Sequence, residues 1–296
     1  MNERRGPWRQ AISRFRRRPL GLAAGAILVA FVVVGALAGV LAPYYPGQEF
    51  VQLIGKAHPP LTAHHFLGTD ALGRDFLTEL LFGIRETILS ALICAGGATV
   101  IGAIVGAFAG YYGGRFDDLV TWATGVVVAV PAIAVLIIIA IWSQLPVKPI
   151  TDGLWLMALL WPGVARVVRA SVASLRTREY IEAAHASGAS DLRVIFRHLL
   201  PNSSGQIIVA ATTIVGQSIA IIATVDFLGY GYNQPERPTL GGLIADAANA
   251  ASAAGVSSIA SVWWLYVIPA GLLVIVLLAV AFAGDTLDDA LNPITT

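Results

Sequence analysis

The chain has 296 residues, of which 56% are hydrophobic and 12% are charged, and its mean hydropathy is +0.74. Because soluble domains carry about 25% charged residues, this composition indicates a protein that crosses a membrane several times. A net charge of +1 excludes, at the level of composition, a chain that binds nucleic acid. The single cysteine, Cys94, allows no intrachain disulfide and no paired-cysteine metal or redox motif, so we expect no cofactor.

Long uncharged runs predict the membrane spans, because a charged residue costs roughly 2.5 to 3.5 kcal/mol at the centre of a membrane helix. Five runs meet this condition, at 19–48, 87–114, 119–147, 199–225 and 247–284. The apolar part of the first run ends before Pro43, so we place the first span at 19–42. The last span is expected at 263–283.

A weaker candidate lies at 153–165, where only 13 uncharged residues separate Asp152 from Arg166 and one of them is Pro162. The distribution of Lys and Arg favours it. With six spans and a cytoplasmic N-terminus, 14 of these residues lie inside and 5 outside, whereas omitting the weak span gives 9 and 10. The positive-inside rule therefore predicts an all-α polytopic membrane protein with six transmembrane helices and both termini in the cytoplasm.

This topology divides the chain into five parts. They are a basic cytoplasmic arm (1–18), the first transmembrane helix (19–42), an extracytoplasmic loop ending in an amphipathic helix (43–86), a transmembrane core (87–285) with a cytoplasmic loop at 170–201, and a cytoplasmic tail (286–296). The extracytoplasmic loop contains His58, His64 and His65, whose spacing matches no standard pair of helical metal ligands. We expect no metal site there.

The cytoplasmic loop is the largest polar segment of the chain. Residues 179–187 are good helix formers and precede Gly188, and a second helix capped by Ser190 or Asp191 is expected to run to Leu200. Such a two-helix hairpin suits docking into a groove of a partner protein. A solvated hairpin that only orients the spans fits the same pattern.

Motifs of this hairpin resemble the membrane subunits of binding-protein-dependent ABC importers. Their signature, E-A-A-x3-G-x9-I-x-L-P, is similar to the residues Glu182, Ala183, Ala184, Gly188, Leu200 and Pro201. His198 stands where the signature has isoleucine, and the segment RHLLPN around it resembles the dipeptide, oligopeptide and nickel branch of the family. Further segments that resemble the C-type permease subunits of that branch are HFLGTDALGRD (65–75), AGYYGG (109–114), WPGVARVVR (161–169), FLGYG (227–231) and GDTLDDALNP (284–293).

The resemblance covers nearly the whole chain and implies a type I ABC importer permease fold in the bacterial plasma (inner) membrane. It implies three kinds of protein partner: a second permease subunit that completes a heterodimeric pore, two cytoplasmic ATPase subunits, and an extracytoplasmic substrate-binding protein. The resemblance also implies which residues contact the ATPase. These are Tyr180, Ile181, Glu182, Ala183, Ala184 and His185. Gly188 would then form the turn, and Pro201 would end the following helix near the lipid bilayer.

Two absences in the sequence bear on activity. No G-x-x-x-x-G-K-[ST] phosphate loop and no G-x-S-x-G elbow occur, so we expect a non-catalytic chain whose energy comes from the ATPase partners. The five long runs contain no Asp, Glu, Lys or Arg well inside them, which disfavours the alternative of an ion-coupled carrier.

Substrate recognition has one candidate residue. Asp226, at the end of the fifth span, is a candidate for the outer vestibule, where it would meet a substrate ammonium or the binding protein. Gly102 and Gly106 are expected to pack helices closely rather than to line a substrate site. Peptide is the expected substrate, and nickel chelates, haem and glycans are alternatives within the same branch.

Overall fold

The computed structural model describes residues 13–15, 17–53, 57–61, 65–143, 149–231, 237–254 and 262–291, and within these ranges the chain is mainly helical with no strand. In chain order the helices from Pro19 onward are α1 (Pro19–Ala36), α2 (Ala38–Leu41), α3 (Phe76–Tyr112), α4 (Gly114–Ala129), α5 (Ala132–Ser143), α6 (Pro149–Leu175), α7 (Glu179–Ala186), α8 (Asp191–Val194), α9 (Leu200–Asn202), α10 (Ser204–Phe227), α11 (Leu240–Ala254) and α12 (Trp263–Leu291). A 3₁₀ turn at Val51–Leu53 and a π-helical turn at Ile195–Leu199 complete the elements described from Pro19 onward.

Within the described residues, five helices are long and apolar enough to cross a membrane, namely α1, α3, α6, α10 and α12, and the bent pair α4 and α5 makes a sixth if it counts as one span. The predicted six spans agree with this upper count. The weak candidate at 153–165 belongs to α6, whose helix begins at Pro149 and continues past Arg166 to Leu175. Most of the predicted basic arm, residues 1–12 and Arg16, lies outside the described residues, as do 292–296.

The third predicted span is not one straight helix. The axes of α4 and α5 differ by 72°, and the bend lies at Val130 and Pro131. Val130 has extended backbone angles, as expected for a residue that precedes proline, and Pro131 has no N–H to continue the helical ladder. The uncharged run at 119–147 predicted the span but not this break.

Helix α3 begins earlier than the predicted second span because it includes the amphipathic segment. The side chain of Asp75 caps the helix by accepting a hydrogen bond from the N–H of Thr78 at 2.8 Å. With 37 residues, α3 is about 55 Å long, whereas the hydrocarbon core of a bilayer is about 30 Å thick. Helix α3 therefore extends well beyond the hydrocarbon.

Helices α3 and α6 approach each other closely along a line of glycines. Gly102, Gly106 and Gly110 follow one another at intervals of four residues, and a Cβ atom on each would lie 2.7, 2.4 and 2.5 Å from a main-chain oxygen of α6. These distances are too short for any side chain, so the expected packing role of Gly102 and Gly106 is confirmed.

The two ends of the bundle carry different elements. Arg18 forms an ion pair with Asp289, and Arg14 donates a hydrogen bond to the carbonyl of Ala290, so the start of α1 and the end of α12 lie together. The end of α3, the end of α6, α7 and α8 lie at this same end, which we call the hairpin end. Residues 43–53, the start of α3 and α11 lie at the opposite end, which we call the loop end.

Candidate functional site

At the hairpin end, α7 ends in a glycine turn that separates it from α8. Gly188 has a φ of +81°, its N–H donates to the carbonyl of His185 at 2.9 Å, and the N–H of Ala189 donates to the carbonyl of Ala184 at 3.0 Å. These two bonds form the Schellman motif, in which glycine is favoured because other side chains are strained at positive φ. Gly188 therefore forms the turn that the sequence predicts.

Helix α7 has one buried side and one open side. Ile181 is 2% exposed and packs with Val172 and Val194 in the protein's own hydrophobic core. The side chains that remain accessible are Tyr180, Glu182, Ala183 and His185, while Ala184 is half-buried. The side chain of Ile181 therefore anchors α7 to the bundle, and the predicted contact of this residue with an ATPase stays a prediction.

Tyr111, at the end of α3, links the transmembrane bundle to both helices of the hairpin. Its hydroxyl donates a hydrogen bond to the carboxylate of Asp191 at 2.7 Å and lies 3.2 Å from Nε2 of His185. The rings of Tyr111 and His185 are stacked with centroids 6.3 Å apart. Sequence reasoning missed this contact because 74 residues separate the two rings, and no local pattern reports on such a distance.

Two arginines hold the neighbouring helix ends. The guanidinium of Arg176 donates to the carbonyls of Gly110 and Tyr111 at 3.3 and 3.0 Å, which places a cation at the negative end of α3. Arg169 on α6 binds both carboxylate oxygens of Asp117 on α4, and the Nη2 to Oδ2 distance is 2.6 Å. The end of α3 and the start of α4 are thus both tied to α6 or to the segment that follows it.

Pro201 follows a π-helical turn and does not end a helix. The π turn spans Ile195–Leu199, and the N–H of Leu200 donates to the carbonyl of Ile195, five residues earlier. The chain remains helical through Pro201 to Asn202, and α10 begins at Ser204. The prediction that Pro201 ends the second helix is therefore wrong, because the π turn accommodates the missing proline N–H without breaking the helix.

Asp226 lines a cavity at the loop end. The side chain is 1% exposed, and the cavity has a volume of about 290 Å³. Its walls are mostly apolar, including Leu136 and Trp155, and Asp152 at the start of α6 is a second carboxylate of the lining. The prediction treated Asp152 only as the boundary of a span, because a single charged residue gives no sign of which helix end it faces.

A buried ionic network holds the segment at 65–75 against α3 and α11. Arg74 is 3% exposed, and its guanidinium binds Asp70 at 2.6 Å and Asp246 of α11 at 2.9 Å. Glu79 of α3 lies 3.9 Å away and accepts a hydrogen bond from the N–H of Gly47. Burial alone would lower the pKa of Arg74, but the carboxylates of Asp70 and Glu79 outweigh it and raise the pKa above its ordinary value.

The three histidines of the extracytoplasmic loop do not form a common site among the residues that the structure describes. His65 is buried and its Nδ1 lies 2.7 Å from a carboxylate oxygen of Asp75. His58 is described, whereas His64 lies outside the described residues. In the described part of the chain, no group of three or more His, Cys, Asp or Glu side chains could hold a metal ion.

These features define a class of protein. In the part of the chain that the structure describes, five long apolar helices, a bent pair that can form a sixth span and a structured polar hairpin at one end define a polytopic membrane protein. Residues 102–293 match the family described as binding-protein-dependent transport system inner membrane component, and residues 6–60 match the N-terminal transmembrane domain of oligopeptide transport permease C. The chain belongs to this family of ABC importer permeases, and it is a multi-pass protein of the inner membrane.

Two kinds of comparison support this assignment. The oligopeptide transport system permease protein OppC of Mycobacterium tuberculosis is 34% identical over 283 residues, which cover 95% of this chain and 93% of that protein. The dipeptide transport system permease protein DppC of Alkalihalophilus pseudofirmus is 33% identical over 290 residues, covering 97% and 90%. Among solved structures, a chain of the MetNI methionine ABC transporter, in inward-facing conformations, matches with a TM-score of 0.54 at 19% identity over 72% of this chain and 96% of that chain. The predicted importer-permease fold is confirmed.

Proposed function

We propose that this chain is one of two different permease subunits that form the pore of an ATP-driven peptide importer. Its curated relatives are oligopeptide and dipeptide permeases, and the relatives cover nearly its full length. ATP hydrolysis would occur in two cytoplasmic ATPase subunits, and an extracytoplasmic binding protein would deliver the peptide at the loop end. A nickel-chelate, haem or glycan importer is the alternative within the same branch.

The observation that carries this proposal is the open side of α7. Tyr180, Glu182 and His185 are exposed and accessible to a partner, while Ile181 on the other side fixes the helix. Small Ala183 permits close approach of a partner groove, and Glu182 can pair with a basic groove residue. The hydrogen bonds of Tyr111 would pass a movement of α7 directly to α3.

Two observations support a proposed orientation of the protein in the membrane. The ion pair of Arg18 with Asp289 brings the start of α1 and the end of α12 to the hairpin end. The positive-inside count, 14 against 5, favours a cytoplasmic location for that end. The cavity that contains Asp152 and Asp226 would then open toward the outside, where its carboxylates suit the ammonium group of an arriving peptide.

Import requires two states of the pore with different affinities for the bound ATPases. Closure of an ATPase dimer on ATP would move its two grooves, and with them α7 and the corresponding helix of the partner permease. The bundle would then switch between inward- and outward-facing arrangements. Gly188 gives the hairpin its sharp turn, so α7 and α8 move as a compact unit.

Co-purification tests the proposal. The chain is expressed with its partner permease and ATPase subunits, solubilised in mild detergent and purified through a tag on this chain. We expect Glu182→Arg to lose the ATPase, because the substitution reverses a charge on the open side of α7. Asp285→Arg makes the same charge change at an exposed position of α12 at the hairpin end and should retain it.

Absence of the ATPase from the wild-type preparation, with the partner permease present, would contradict the proposal. Uptake of a radiolabelled peptide by cells expressing the complete set of subunits tests the substrate. Uptake of nickel or haem in place of any peptide would favour the alternative within the branch.

A further inference from the structure

One side of α10 exposes polar residues at a depth where α1 and α12 expose apolar ones. The exposed positions Thr213, Gln217, Ala220 and Thr224 follow each other at intervals of four, three and four residues, so they share one side of the helix. We call this surface the Gln217 face. Gln217 lies near the middle of the 24-residue helix, and therefore near the middle of the membrane.

The outward sides of neighbouring helices have a different composition. Exposed positions near the middle of α1 are Val29 and Val33, and those of α12 include Val274 and Leu278. Transfer of a side-chain amide into hydrocarbon without a hydrogen-bonding partner costs free energy. Transfer of the apolar side chains of α1 and α12 does not. The Gln217 face is therefore built to meet water or polar groups, whereas the outer faces of α1 and α12 are built to meet lipid.

The Gln217 face also borders a groove. This groove, of about 300 Å³ between α6 and α10, is lined by Gln206, Thr213 and Gln217, and it reaches Asp288 at the hairpin end. The cavity at the loop end is lined by Ile222, Val225 and Asp226 of the same helix, which lie outside the Gln217 face. Helix α10 thus borders open space at successive depths from one end of the bundle to the other.

We infer that the Gln217 face of α10 lines the path along which a peptide crosses the membrane. An amide and two hydroxyl groups offer both donors and acceptors without charge, which matches the uncharged amides of a peptide main chain rather than a bare ion. The hydroxyls of Thr213 and Thr224 donate to carbonyls of their own helix, so their oxygens remain able to accept hydrogen bonds. This inference rests on the proposed function, since it needs a transported peptide.

Thiol labelling of the assembled transporter tests the exposure of this face to water. Native Cys94 is fully buried, so the parent chain provides the blank. Gln217→Cys is compared with Leu278→Cys on α12, which is 51% exposed. The two positions lie at similar depth, because Gly216 packs against Val280 where α10 and α12 run side by side.

The reagent is a membrane-impermeant, cationic methanethiosulfonate, applied to the complex in lipid vesicles. It reacts with thiolates, which form in water and not in hydrocarbon. We expect Gln217→Cys to react at least about tenfold faster than Leu278→Cys. Equal rates would overturn the inference, as would a Gln217→Cys variant that is unreactive because it is buried against the partner permease.

A transport measurement tests the contact with peptide. Gln217→Leu is expected to lower uptake of radiolabelled tri-alanine about tenfold, which corresponds to about 1.4 kcal/mol, while Gln217→Asn retains more activity than Gln217→Leu. Leu278→Ala serves as the matched control and should stay within about twofold of wild type. Wild-type uptake by Gln217→Leu would overturn the inference.

Retention of the ATPase separates this inference from the function on which it rests. If Gln217→Cys is unreactive in a complex that still contains the ATPase, the proposed function stands and the inference fails. If wild type binds no ATPase, the proposed function fails and the inference fails with it.

Discussion

The contact between α3 and α6 predicts that replacing glycine by alanine has opposite effects on stability at two positions of α3. At Gly96 nothing lies within 4 Å of an added Cβ, whereas at Gly106 the Cβ would lie 2.4 Å from the carbonyl oxygen of Ala165 and 3.1 Å from its Cα. In a helix interior, alanine is favoured over glycine by about 1 kcal/mol. Gly96→Ala should therefore stabilise the protein by up to that amount.

Gly106→Ala has the same intrinsic gain but must push the two helices apart by about 1 Å. Overpacking of this kind costs about 1 to 3 kcal/mol. Both substitutions restrict the backbone of the unfolded chain equally, so the free energies of unfolding of the two variants should differ by the cost of overpacking. Because this cost equals or exceeds the gain of up to about 1 kcal/mol, Gly106→Ala is expected to be less stable than Gly96→Ala and than wild type.

Thermal unfolding of the purified protein in detergent, followed by tryptophan fluorescence or by loss of the monodisperse size-exclusion peak, measures the difference. We expect the order Gly96→Ala, then wild type, then Gly106→Ala in apparent Tm. A Gly106→Ala variant that melts together with Gly96→Ala would refute the reasoning, because it would mean that α3 and α6 have room for a side chain at this contact.

Three further predictions concern polar contacts. Tyr111→Phe removes the hydroxyl that joins α3 to the hairpin and lowers the stability of this contact by about 1 kcal/mol. In the assembled complex it should weaken the stimulation of ATPase activity by the loaded binding protein, and the control Tyr112→Phe should not. Asp117→Arg separates α4 from α6 and should lower the yield of folded protein, which Arg169→Asp in the same chain should restore; because Arg169 is partly exposed, the pair contributes about 1 kcal/mol. Arg74→Met leaves buried carboxylates without their cation, which should lower the stability of the loop end by about 3 to 5 kcal/mol and expose it to rapid proteolysis. Resistance to proteolysis equal to that of wild type would contradict the stabilising role of Arg74.

The sequence predicts those features that depend on composition over many residues. Gaps between charges locate the spans, because the cost of burying charge in lipid acts on each helix separately. The distribution of Lys and Arg between the two sides of the membrane then favours six spans. The turn at Gly188 is also predicted, since positive φ and the end of a helix are local properties.

Features that depend on contacts between distant residues are not predicted. The inward position of Ile181 follows from packing of α7 on the core, and an eight-residue helix gives too short a pattern to show which side is buried. The partners of Tyr111, and the partner Asp246 of Arg74, come from other helices, so no spacing in the sequence indicates them. The bend at Pro131 is not predicted either, because the charge and length of an uncharged run do not depend on the direction of its helix axis.

The most direct test of the central claim is to identify what α7 touches in the assembled transporter. A photo-crosslinking amino acid is placed at Ala183, on the open side of α7, and for comparison at Ile275, on the apolar outer side of α12. After irradiation of membranes, the crosslinked protein is identified by mass spectrometry. We predict that position 183 captures the ATPase subunit and that position 275 does not. A crosslink pattern at position 183 that contains no ATPase, in membranes where the ATPase is present, would contradict the account.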